Sequence, residues 1–337
     1  MSDLLRIGAS PTDADVDAWH SVVTAAHAAD LPPTVPAPCR VETAGGLRVP
    51  RVRSRHINLA VPMSHGRPGE FAGVAALRLF DEAENRTTAW IERLAVRPEV
   101  RRRGIGSRLW EALRAVLVEE GRTSVGLEVE LGGAGEQFAL AHGFRCALPL
   151  TVYVLDLAHE GGAPGPSLPN GYRFVEWTGV VPSRHAPAFS LAHQAIADVP
   201  RGDLEMRPRV WDAERVRVLQ QANVDRGAVL LTVVAVSPDG AHAGYSVLGL
   251  PSSDAVRAVL YETAVVPAHR GLGLGRAVSL RMLEVLRDQR LPVREIAGTV
   301  ADGNRPMRAV GKPFGYRPER SLGFYQARWD YARDQYT

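Results

Sequence analysis

The sequence predicts a mixed α/β fold used twice: two units in tandem, each with a central, mostly antiparallel sheet flanked by helices. Three observations carry this expectation. The pattern Arg101-x-x-Gly104-x-Gly106 returns as Arg270-x-x-Gly273-x-Gly275, with Arg101 and Arg270 standing 169 positions apart in a chain of 337 residues. Each copy lies between a stretch with the two-residue period of a strand and one with the 3.6-residue period of a helix. Between the copies runs HEGGAPGPSLPNGY, dense in Gly and Pro and without hydrophobic period. It marks a linker over 159–171 between domains at 1–158 and 172–337. A hydrophobic content of 45% over this length suffices for two cores.

In the first half, LLRIGA has strand character, and Thr12 or Asp13 caps a helix through DADVDAWHSVVTAAHAAD, whose apolar residues keep helical spacing. The following LPPTVPAPCRVETAGGLRVP is rich in proline and expected to be irregular. HINLAVPM, FAGVAALRLF and TTAWIERLAV supply three strands that lead to the first glycine turn. Past the turn, Ile105, Leu109, Ala112, Leu113, Val116 and Leu117 share one helical face, and Gly121 is placed to end the helix. In SVGLEVEL, Val125, Leu127, Val129 and Leu131 alternate with Glu128 and Glu130, which predicts a strand with one wet face.

The second half repeats the order. VLLTVVAVSPDGAHAGYSVLGL is a hairpin around Ser237-Pro-Asp-Gly240, and AVLYETAVV is a strand entering the second glycine turn. Leu274, Val278, Met282 and Val285 mark a buried helical stripe, VREIAGTV the next strand, Asn304 to Lys312 a short helix, and PERSLGFYQARW a closing strand. Consecutive hairpin strands before the main helix differ from the strict strand-helix alternation of a doubly wound dinucleotide fold.

Composition removes several function classes. The charge balance is nearly even, 40 basic against 37 acidic residues for a formal +3, so nucleic acid gains no support as a partner. Cys39 and Cys146 are isolated, with no CxxC and no Cys/His cluster, so neither a disulfide scaffold nor a metal site is expected. Cys146 has no His or Asp grouped with it and is not expected as a nucleophile. No basic head precedes an apolar run and no stretch approaches the roughly 18 apolar residues of a membrane span. A soluble, cytoplasmic protein without a membrane partner is expected.

The glycine turn itself points to a ligand. A strand that turns through two glycines into a helix presents backbone N–H groups that no helical carbonyl can satisfy. Glycines let a bulky anion approach, and the helix N-terminus adds partial positive charge, so a pyrophosphate is the fitting ligand. The spacing is neither GxGxxG, because Leu109 and Arg276 fall outside it, nor GxxxxGK[ST]. Nicotinamide dinucleotide and ATP are both disfavoured as cofactors.

VRPEVRRRGIG at Val96 to Gly106 and VVPAHRGLGLG at Val265 to Gly275 resemble the acetyl-coenzyme A signature of the GCN5-related N-acetyltransferase superfamily. In the second half, Glu262-Thr263 followed by HRGLGLG, ADVPRGDLE at Ala197 to Glu205, and NRPM at Asn304 to Met307 are similar to tandem acetyltransferases of antibiotic-producing bacteria. The resemblance implies two such domains and acetyl-coenzyme A as cofactor. In the first half it would be held by Leu94, Ala95 and Val96 and by the turn residues Arg101, Arg102, Arg103, Gly104, Ile105, Gly106 and Ser107. In the second half the matching positions are Ala264, Val265 and Val266, then Arg270, Gly271, Leu272, Gly273, Leu274, Gly275 and Arg276, with Asn304 in addition.

The same resemblance places a catalytic base on the strand before the turn, which offers Glu92 in the first half and Glu262 in the second. They are one residue out of register, and on a regular strand that shift changes the face, so both fit only if a bulge intervenes. Many members carry a tyrosine four residues before a Gly-Phe pair as general acid; the matching positions here hold Ala139 and Gly311. The second half, with more of the subgroup's motif residues, is the favoured catalytic one. The implied activity is acetyl transfer to an amine of a small molecule, in natural-product tailoring or self-resistance. Two alternatives stand beside it: acetylation of protein or peptide amines, and a coenzyme A-binding regulatory module whose catalysis has been lost.

Overall fold

The computed structural model describes residues 4–64, 69–158 and 168–329. The elements in chain order are β1 (Leu5–Ile7), α1 (Asp13–Asp30), α2 (Arg40–Arg48), β2 (Ser54–Pro62), β3 (Phe71–Phe80), β4 (Thr88–Val96), α3 (Ile105–Glu119), β5 (Ser124–Glu130), α4 (Ala134–Ala141) and β6 (Arg145–Asp156). They continue as β7 (Arg173–Thr178), α5 (Ala186–His193), α6 (Ala213–Asp225), β8 (Val229–Val236), β9 (His242–Leu250), β10 (Arg257–Val265), α7 (Leu274–Asp288), β11 (Glu295–Ala301), α8 (Arg305–Gly311) and β12 (Arg317–Arg328). Residues 159–167 of the expected linker lie outside the described residues.

The described residues pack as two compact units. The first combines the span Met1–Pro149 with Gly202–Arg207 and Leu322–Thr337; the second combines Leu150–Arg201 with Pro208–Ser321. The first sheet runs β1-β2-β3-β4-β5-β12 and the second β6-β11-β10-β9-β8-β7. In each, one central pair is parallel, β4 with β5 and β10 with β11, and the other pairs are antiparallel. The closing strand is exchanged: β12, from the end of the chain, completes the first sheet through Leu322–Arg328 against β5, while Leu150–Asp156 of β6 completes the second against β11.

Each unit has two cores because its sheet is covered on both faces. Leu109, Leu113 and Leu117 of α3 are fully buried against Ala75, Leu77, Leu79 and Ile91 on one face of the first sheet. Burying each such leucine contributes about 2 kcal/mol. Val16, Trp19, Val22 and Val23 of α1 and Leu47 of α2 pack on the opposite face against Ala60, Val74 and Ala76. In the second unit α7 sets Leu274, Val278 and Met282 on Leu231, Val233 and Ala235, and α5 and α6 set Phe189 and Val216 on Val234, Tyr245 and Val247.

The one misjudged local element is α2, expected to be irregular. Four of that segment's five prolines, Pro32, Pro33, Pro36 and Pro38, precede the helix and Pro50 follows it, so none breaks it. The Cys39 sulfur accepts the Glu42 amide at 3.4 Å, and Arg40 pairs with Asp13 and Asp17 of α1. Thr12 does cap α1, in a reciprocal capping box with Asp15.

Candidate functional site

In both units the parallel strands part. β4 stays paired to β5 only from Thr88 to Ile91, and β10 to β11 only from Arg257 to Val259. Beyond those residues the facing edges of Leu94–Val96 and of Ala264–Val265 have no partner strand among the described residues, although both stretches remain hydrogen-bonded on their other side, to β3 and β9. An extended ligand arm can therefore enter between the strands and use their free backbone groups.

The glycine turns close the mouth of each parting. Gly104 and Gly273 are the N-caps of α3 and α7, with φ of 78° and 76°, a conformation that costs a side-chain residue about 1–2 kcal/mol. Two positions earlier the same left-handed conformation recurs, on Gly271 (φ 78°) in the second unit but on Arg102 (φ 61°) in the first. The second turn is thus relaxed, and the first carries a strained arginine. Gly104 and Gly273 make no side-chain cap, so the amides at the starts of α3 and α7 are not capped by the residue before them. Ile105 and Leu274 also anchor their helices in the cores, while Arg103 and Leu272 are exposed. These turns fit a pyrophosphate.

The motif arginines have a different placement from the expected phosphate support. Arg101 grips both carboxylate oxygens of Asp30 at 2.6 and 2.8 Å and the Val96 carbonyl at 3.1 Å. Arg270 donates to Oδ2 of Asp198 and to the Val265 carbonyl, the latter at 3.1 Å. Each arginine braces the end of its strand to the turn. Asn304 caps α8, its side chain accepting the Met307 amide at 3.1 Å. Val266 donates its amide to Ala243 at 2.9 Å, which holds the end of β10 against β9.

The two carboxylates sit at matching bulges. Pairing β4 with β3 leaves Glu92 as the extra residue, four before Val96; pairing β10 with β9 leaves Tyr261, four before Val265. Val96 and Val265 both pair with glycines, Gly73 and Gly244. By this register Glu92 corresponds to Tyr261, and Glu262 to Arg93. A bulge re-aims the side chains around it, and both carboxylates lie on the face opposite α3 or α7, with neighbours on β3 or β9 that point the same way.

Their surroundings differ. Glu92 accepts from Arg51 at 2.7 Å and faces the His56 Nε2 at 3.1 Å and Arg78 at 3.7 Å. Burial resists its ionisation, but His56, Arg51 and Arg78 outweigh that and hold the carboxyl at about 2. Glu262 instead accepts the Tyr245 hydroxyl at 3.0 Å and lies 3.3 Å from His193 Nε2, off hydrogen-bond alignment. Tyr245 and His193 are buried, with rings stacked at 5.3 Å, and Trp211 stands edge-on to His193 at 4.1 Å. Burial, with the Glu262 charge beside it, pushes the Tyr245 phenol well above its usual range; burial also pushes His193 below its own, with Glu262 opposing. Near neutral pH both rings are uncharged.

Sequence reasoning found Glu262 through its distance from the turn but missed Tyr245, His193 and Trp211. They come from β9, α5 and the segment before α6, and no shared period links them. Tyr245 pointed to a partner only as a large polar residue in an otherwise apolar strand.

Among the described residues no helix is long and apolar enough to cross a membrane. The model of the acetyltransferase (GNAT) family matches the chain twice, over residues 50–144 and 196–316. A tandem GNAT protein from the clavulanic acid biosynthesis pathway has a similar structure, with a TM-score of 0.83 at 27% identity over 97% of this chain and 98% of that one. A GCN5-related N-acetyltransferase from Sphaerobacter thermophilus shares the fold, with a TM-score of 0.66 at 17% identity over 96% and 95%. Among curated proteins nothing matches. The two family matches take in well over half of the residues, one on each parted sheet, and the chain belongs to the acetyltransferase (GNAT) family in tandem form.

Proposed function

We propose that this protein transfers an acyl group from a coenzyme A thioester, acetyl-coenzyme A being the family's usual donor, to the amine of a small molecule, and that the second unit carries the chemistry. The observation that carries this reading is Glu262. It is a carboxylate beside the bulge, oriented by a neutral Tyr245 hydroxyl and next to His193, rings that are themselves packed against Phe189 and Trp211. An alkyl amine near pKa ~10 is almost wholly protonated at neutral pH. A single carboxylate among aromatic faces attracts such a cation and can take its proton. The tandem relative serves a small-molecule biosynthesis pathway, which supports a small-molecule acceptor.

Coenzyme A bound in the parting supplies an acyl carbon activated as a thioester. The relaxed Gly271 and Gly273 turn accepts the pyrophosphate, and the free edge of β10 at Ala264 and Val265 receives the pantetheine arm and polarises the carbonyl. Glu262 takes the proton from the amine. The nitrogen forms the new N–C bond as the C–S bond breaks and its electron pair leaves with the thiolate. Of the two protons the ammonium nitrogen gives up, the first passes through Glu262 to solvent and the second, lost after attack, goes to the thiolate. The first unit lacks this arrangement: Arg93 stands where Glu262 stands, and Glu92 is locked among Arg51, His56 and Arg78. We assign it a cofactor-holding role without proton removal.

Calorimetric titration with acetyl-coenzyme A, on the wild type and on Gly104→Glu and Gly273→Glu, tests the reading. Loss of amine-dependent thiol release only in Gly273→Glu is the expected result. Release that survives Gly273→Glu and disappears in Gly104→Glu would transfer the chemistry to the first unit, and no binding to the wild type would overturn the acyltransferase reading.

A further inference from the structure

On the α7 side of the second sheet, a small cavity begins where β10 and β11 part. Leu260, the last residue before the bulge, lines it, and its deeper wall is core: Leu155, Leu248, Met282, Ile296 and Phe314. Of the three hydroxyl-bearing residues on its wall, Ser246, Ser279 and Tyr316, the two serines are engaged within the protein. Ser246 shares a hydrogen bond with Thr263 at 3.0 Å, and Ser279 donates to the Gly275 carbonyl at 2.9 Å. With the Tyr316 hydroxyl as the third polar group and the rest of the wall apolar, an apolar occupant is favoured over a polar one.

The first unit supplies the contrast. Counting from the N-caps Gly104 and Gly273, position 110 matches position 279. Where the second unit has Ser279, the first has Trp110, buried and edge-on to Phe144 at 5.2 Å. The indole fills the space that the serine leaves open. Gly311, also on the wall, has ordinary helical backbone angles (φ −74°, ψ −29°), and a Cβ there would lie 3.4 Å from the Tyr316 ring. The opening is thus a matter of side-chain size.

Resting on the function proposed above, we propose that this cavity is the acyl pocket of the second unit and that its donor carries a short aliphatic acyl group longer than acetyl. The amine approaches from the Glu262 face, the carbonyl oxygen turns to the edge of β10, and the sulfur leads back toward the glycine turn. The remaining direction in the thioester plane runs inward along the parting, past Leu260 and into the cavity.

The test is calorimetric titration of the full chain carrying Gly104→Glu, which closes the first turn, with coenzyme A and its acetyl, propionyl, butyryl and hexanoyl thioesters. Butyryl-coenzyme A is expected to bind about tenfold tighter than acetyl-coenzyme A, as for two buried methylenes. Ser279→Trp, which copies the first unit, should erase that preference while coenzyme A itself binds as before, and Leu260→Ala should move the optimum toward hexanoyl. Equal or weaker binding of the butyryl thioester in the Gly104→Glu chain, or a preference unchanged in Ser279→Trp, overturns the acyl pocket and leaves the acyltransferase reading standing. Failure of coenzyme A itself to bind overturns both. Should Ser279→Trp not fold, the direction of the Leu260→Ala shift decides.

Discussion

Lowering the pH from about 7.5 to about 4.5 should loosen the second unit while the first stays intact, because the second buries neutral histidines. His185, His193 and His242 surround Phe189 and one another, with ring separations of 5.5 Å between His185 and His242, 5.6 Å between Phe189 and His193, and 6.3 Å between Phe189 and His242. Burial pushes all three imidazoles below their usual value; His242 falls to about 4, helped by His185 and Arg173. In the unfolded chain a histidine titrates near 6.5, so between about 6.5 and about 4 the unfolded state takes up a proton that the folded state refuses. Stability is complete above the unfolded value and is lost as the pH falls toward the folded one. For His242 the displacement is worth about 3 kcal/mol, reduced to about 2 kcal/mol by partial access of solvent. Glu92 has the opposite sense: held at about 2 against an ordinary 4.5, its contribution to the first unit is lost only as the pH falls through that lower window. Hydrogen exchange read by peptide across this pH range should show the second unit gaining exchange first. In His242→Phe, which keeps the aromatic contact with Phe189, the acid-dependent loss should shrink by about 2 kcal/mol. An unchanged pH dependence in that variant, or earlier loosening of the first unit, would refute the reasoning.

Four further predictions follow from single side chains. Glu262→Gln should lower kcat/KM for amine acylation by about 10²-fold with the coenzyme A affinity kept, measured by thiol release and calorimetry. Glu92→Gln should leave turnover nearly unchanged and cost about 2 kcal/mol in urea denaturation, since Arg51 and Arg78 lose their carboxylate. Arg102→Gly should relax the left-handed residue of the first turn and stabilise that unit by about 1 kcal/mol, read as a higher denaturation midpoint. Gly249→Ala should destabilise the second unit by about 1–3 kcal/mol, because the new Cβ would fall 2.4 Å from the Tyr261 ring beside the bulge; a neutral result would show the ring is free to move.

Much of this was legible because the signals are local. The helix over Ile105–Glu119 followed from apolar residues that recur on one face, and each glycine turn from a left-handed backbone that a glycine adopts without strain. The helix over Arg40–Arg48 was not legible, because four prolines just before it hide a short amphipathic stretch whose stability comes from packing on α1. The exchange of the closing strands could not be read either: residues in β6 and β12 share the same two-residue period, and period says which face is buried, not which neighbour supplies the ladder.

By itself, then, the sequence determined the repeated α/β unit, the two glycine turns and the nearness of a carboxylate to each, all properties of contiguous residues. Only the tertiary structure shows how differently the two carboxylates are surrounded. The bulges on β4 and β10 put Arg93 at the place of Glu262, Arg51 and Arg78 converge on Glu92, and Tyr245 and His193 converge on Glu262, from positions 17 and 69 residues distant. The acyl cavity likewise depends on Ser279 against Trp110, a difference in size that gains meaning once both helices lie on their sheets. Pairings across such separations are made by packing and charge in three dimensions, and no period along the chain records them.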